Sequence, residues 1–163
     1  MTAKDKFAAE DWNRLIEAPM LAGFAVTAAD PGGLIGAVQE CAAIAGSLKS
    51  TMNNGDKGSL AHAIAEAYTT SEGRNAATDG IKALVRGKRP AEASQAAVAR
   101  LGEIFALVKR TMPDQAAAFR EFLITTATKT AEASKEGGFL GFGGEKISAA
   151  EHKTLADLNA ALG

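Results

Sequence analysis

Between Pro90 and Pro113 the large apolar residues Val98, Leu101, Phe105, Val108 and Met112 recur at spacings of three, four, three and four. That spacing puts them on one face of an α-helix and on no face of a strand, where residues two apart share a side. Leu34, Val38, Cys41, Ala45, Leu48 and Met52 repeat it as a heptad-like seam. Strand-forming residues nowhere cluster in alternating runs, so the pattern argues against a sheet. The expectation is an all-α fold.

Length and composition narrow this further. At 163 residues the chain suits one compact core, which makes 1–163 a single helical domain. Hydrophobic residues are 47%, much of it alanine, and charged residues are 23%. Alanine favours helix, and its small side chain lets helices approach closely. The expected architecture is an antiparallel bundle of about seven or eight helices.

Punctuation residues divide the chain. A first helix over residues 5–18, with Phe7, Trp12, Leu15 and Ile16 on one side, should end or kink at Pro19, which lacks an amide donor. A second apolar segment, Met20 to Ala29, runs to the turn Asp30-Pro31-Gly32-Gly33. The Leu34–Met52 seam stops at Asn53-Asn54-Gly55. Leu60, Ile64, Ala67 and Tyr68 mark a shorter helix ending near Gly73, and Ile81, Leu84 and Val85 another ending at Gly87. Pro90 suits a first helical turn, where its missing donor costs nothing. Pro113 breaks the chain or starts a helix whose face is Phe119, Phe122, Leu123 and Thr126. These two longest patterns make a helical hairpin over Pro90 to Ser134, expected at the bundle centre. Ser148 and Glu151 form a capping box before a last helix that buries Leu155, Leu158 and Leu162.

Between the hairpin and that last helix lies EGGFLGFGGEK, the densest glycine in the chain, holding Phe139, Leu140 and Phe142. These three either plug the end of the bundle or form an interaction loop. Phosphate binding is disfavoured: no Gly-Lys-Ser/Thr follows the glycines, and no strand precedes them.

Other chemistry finds little support. Net charge is −1, so no global field draws in nucleic acid. The basic run Lys82, Arg86, Lys88 and Arg89 reads as a solvated helix end. Cys41 has no second cysteine to pair with and lies on an apolar seam, which suits a buried thiol. His62 and His152 stand apart from any readable triad, and no Glu-x-x-His pair supports a di-iron bundle. The polar, acid-containing N-terminal stretch does not read as a signal peptide, and no apolar run reaches membrane-helix length. A cytoplasmic location without membrane or nucleic-acid partners is the expectation.

Ala28-Ala29-Asp30-Pro31-Gly32 with Glu40 downstream, and more loosely Gly137 to Glu151, resemble the repeated helix–turn–helix units of the tellurite-resistance TerB-like domains. Pro31 stands between Asp30 and Gly32, and the second stretch carries no aspartate in its turn. The resemblance implies an all-α fold and a divalent metal held by Asp30, Glu40 and Glu151. The alanine-rich style, with FLGFGG before a capped helix, also resembles uncharacterised bacterial helical proteins.

Three functional expectations follow. The first is a helical interaction or regulatory module without catalysis or cofactor, meeting a protein partner or a second copy through Phe139, Leu140 and Phe142. The second is TerB-like divalent-metal binding. The third is a carrier or enzyme with an apolar ligand pocket between helices.

Overall fold

The computed structural model describes the backbone of residues 2–29, 37–136 and 147–163, and the side chains of these residues except 37–41 and 134–136. A short 3₁₀ turn, Lys4–Lys6, precedes seven α-helices: α1 Ala9–Ala29, α2 Ala37–Asn54, α3 Leu60–Ala67, α4 Ser71–Val85, α5 Pro90–Thr111, α6 Pro113–Glu136 and α7 Ala149–Ala161. The described residues contain no strand. The all-α helical bundle expected from the apolar spacing is the observed fold.

Helix α1 departs from expectation. It runs unbroken through Pro19 for 21 residues, about 31 Å at the usual rise. Proline removes the amide that would bond the Leu15 carbonyl. The next carbonyl along, that of Ile16, accepts a 2.5 Å hydrogen bond from the Tyr68 hydroxyl. That bond goes to the neighbouring carbonyl and not to that of Leu15, and Pro19 is itself buried.

Helix α1 also takes the central position expected of the α5–α6 hairpin. It packs against each of the other six helices. Trp12, Leu15, Ile16, Ala18, Leu21, Ala22, Ala25 and Val26 are buried around its circumference. A helix buried over most of its circumference belongs in a core, and between Trp12 and Val26 only Asn13 is exposed. One core cluster draws on all seven helices, with Leu48, Leu60, Ile64, Ala77, Leu101, Phe119, Leu123 and Leu158 meeting the α1 residues.

Helices α1 and α5 run antiparallel. Ser94, near the start of α5, donates 2.7 Å to the carbonyl of Ala25, near the end of α1. Further along α5, Arg100 and Ile104 line a groove with Arg14 and Asp11, near the start of α1. Pro113 opens α6 directly after α5, with the Gln115 amide bonded to the Met112 carbonyl, so the α5–α6 hairpin stands as expected. Helix α7 is antiparallel to α6: Arg120 Nε donates 3.1 Å to the Leu162 carbonyl, and its Nη2 donates 2.9 Å to Asn159 Oδ1.

Smaller corrections concern α4 and α2. Gly73 does not end α3; it lies buried in the first turn of α4, where its amide bonds the Thr70 hydroxyl at 3.1 Å. On α2 the buried side carries Ser47 and Leu48, with Ile44 and Met52 packed against the core, while Ala45 is exposed. Leu34, Val38 and Cys41 of the expected seam lie outside the described side chains. Other boundaries agree: Gly87 follows α4 with φ 75°, and Pro90 occupies the first turn of α5.

Candidate functional site

The residues expected to carry function fall into two groups. Phe139, Leu140 and Phe142 lie outside the described residues, as does Asp30, and the Glu40 side chain lies outside the described side chains. Glu151 is described. It is fully buried, and its Oε2 accepts 2.7 Å from the Ser148 amide while the Glu151 amide donates 3.2 Å to Ser148 Oγ. The capping box read from the sequence is therefore formed, and it engages the carboxylate assigned to a metal. Among the described residues no group of three or more His, Cys, Asp or Glu is placed to hold a metal ion.

The remaining candidates take ordinary places. His152 is exposed in the first turn of α7. His62 is half-buried in the first turn of α3, with its amide bonded to the N-cap Ser59 hydroxyl at 3.1 Å. Its Nδ1 is sealed from solvent without a hydrogen-bond partner among the described residues. The basic run is exposed, and Lys88 Nζ donates 2.7 Å to the Leu84 carbonyl at the end of α4, where a cation complements the helix dipole.

Two surface hollows flank these elements. A groove of about 420 Å³ runs between α5 and α7, lined by Ser94, Val98, Ala150, Lys153, Thr154 and Asp157 among others. It lies beside the start of α7, where the chain returns from the glycine-rich stretch. A cleft of about 580 Å³ lies between the N-terminal turn, α1, α3 and α4, with Trp12 and Ile16 in its wall and Glu66 and Glu72 among its polar residues.

Apolar spacing did not flag the most unusual polar group. Glu17 lies on α1 among core residues and is only 7% exposed. Its Oε2 has no hydrogen-bond partner among the described residues. Burial pushes its carboxyl above the usual carboxylate range, and Arg100 and Arg14 pull it back only in part. Burial likewise holds the Tyr68 hydroxyl well above the ordinary tyrosine range, opposed by a hydrogen bond with the Met20 backbone and reinforced by the Glu17 charge. The available signal was position: Glu17 is next to Ile16 and one turn before Leu21 in a segment otherwise short of charge.

No family model matches the chain, and neither does a curated protein or a solved structure.

Proposed function

We propose that the chain is a non-catalytic helical interaction module of the cytoplasm that meets a protein partner through Phe139, Leu140 and Phe142. The observation that carries this reading is the anchoring of the helices on either side. Helix α6 is held by buried Phe119, Phe122, Leu123, Ala127 and Ala131, and α7 by Leu158, Leu162, its capping box and the Arg120 bonds. In the sequence, three large apolar residues set among glycines thus join two anchored helices, and Ala150, Lys153 and Thr154 at the start of the second line a groove. Each such side chain contributes on the order of 1.5–3 kcal/mol when a partner covers it.

The Phe139→Ser/Phe142→Ser double variant tests this. Far-UV circular dichroism and the melting temperature should stay near wild type, while binding of the apolar dye ANS and any self-association seen by sedimentation should fall. Collapse of helicity and melting temperature would assign both aromatics to the core and overturn the reading. A dye response equal to wild type would also count against it. Metal binding in the TerB-like manner would have to draw on Glu151, whose Oε2 already accepts from the Ser148 amide.

A further inference from the structure

Helix α4 is the least deeply seated helix with a full set of described side chains. Of its 15 residues only Gly73 and Ala77 are buried, and Ile81 and Leu84 pack against the core while half-exposed. Neither buried residue brings much apolar area, so docking of α4 rests on few contacts. Where α4 crosses α1 it presents Gly80, and a Cβ there would overlap the carboxyl carbon and Oε1 of Glu17. The α1–α4 contact therefore closes directly onto a buried carboxyl group with one oxygen unpartnered among the described residues.

The groups around that carboxyl do not neutralise it by contact. Arg14, on the same helix, bonds Glu10 Oε1 at 2.8 Å and is 41% exposed at its side chain. Arg100, on α5, acts through charge rather than a hydrogen bond. From the α3–α4 turn, Tyr68 directs its hydroxyl to the Ile16 carbonyl. Among the described residues, α2, α6 and α7 add no charged group that acts on it. A neutral carboxyl group tolerates this site far better than a carboxylate, because ionised groups lose most on leaving water.

We propose that Glu17 is a proton-operated latch for α4: protonated, it lets the helix seat on α1 at Gly80, and ionised, it draws water to the contact and loosens the helix without unfolding the rest of the bundle. A loosened α4 would open the adjoining cleft, since Glu72, Gly73 and Ala76 form one of its walls. The latch engages toward the ordinary glutamate value of 4.5 and releases as pH rises through the higher value of the folded state.

Hydrogen exchange of the full chain, read by mass spectrometry near pH 4.5 and at about pH 8 with intrinsic rates corrected, tests this. In the wild type, α4 should lose protection severalfold relative to α5 as pH rises. In Glu17→Gln, and in Glu17→Met, which leaves no polar atom to bury, the α4-to-α5 ratio should be the same at both pH values. A ratio that does not change with pH in the wild type overturns the proposal, even if a variant fails to fold. Retention of the full pH dependence in either variant also overturns it, since another group must then be responsible.

Discussion

At the scale of single residues, the Glu17–Gly80 contact makes the sharpest claim. Alanine normally stabilises a helix interior over glycine by about 1 kcal/mol. At position 80 the sign should reverse, because the new methyl would overlap the Glu17 carboxyl. Urea denaturation should find Gly80→Ala destabilising in the wild-type background. In Glu17→Ala it should be neutral or stabilising, with a coupling energy between the sites of roughly 0.5–3 kcal/mol. Additive effects would mean that the two residues do not meet. The contact was not legible in the sequence: Gly80 and Glu17 are 63 positions apart, and neither belongs to an apolar face. Ser148 and Glu151 were legible, because the residues of a capping box lie three apart and act on each other's backbone.

At the scale of elements, spacing located the helices well and Pro19 misplaced one. Helices α5, α6 and α7 carry their buried faces where the spacing put them, with Leu101, Phe105, Val108, Phe119, Leu123 and Leu158 all in the core. Pro19 reads as a helix end or kink because the local rule knows only the lost amide, and the structure rules out the end. What the rule cannot see is tertiary contact: Pro19 is buried, and Tyr68, on a distant turn, ties α1 at the Ile16 carbonyl. Tyr68→Phe should therefore cost about 1 kcal/mol in chemical denaturation through the lost hydrogen bond. It should also change the alkaline limb. The hydroxyl titrates higher in the folded chain than its ordinary 10.0, so its contribution is complete below that value and is lost as pH rises above it. Wild-type stability should fall above about pH 10 by this route, and Tyr68→Phe should lack that component. An unchanged alkaline limb would contradict the assignment.

At the scale of the whole molecule, the bundle is organised around α1 and not around the α5–α6 hairpin. Pattern length suggested the hairpin, since α5 and α6 show the longest regular spacing. Regular one-sided spacing marks a helix with one wet face, whereas a helix buried on all sides loses its period. Helix α1 approaches the second kind: between Trp12 and Val26 only Asn13 is exposed, and so it read as two short segments on either side of a proline. Of the candidate site, the capped start of α7 was legible, while the packing around Glu17 depends on contacts that no local pattern encodes.

The central position of α1 is open to direct measurement by native-state hydrogen exchange across a series of low denaturant concentrations. The amides of Leu21, Ala22, Ala25 and Val26, all beyond Pro19, should exchange only through global unfolding, with an opening free energy equal to that from the equilibrium denaturation curve. If these amides open locally, at a lower free energy than those of α5 and α6, then α1 breaks at Pro19 and the hairpin, not α1, is the centre of the bundle.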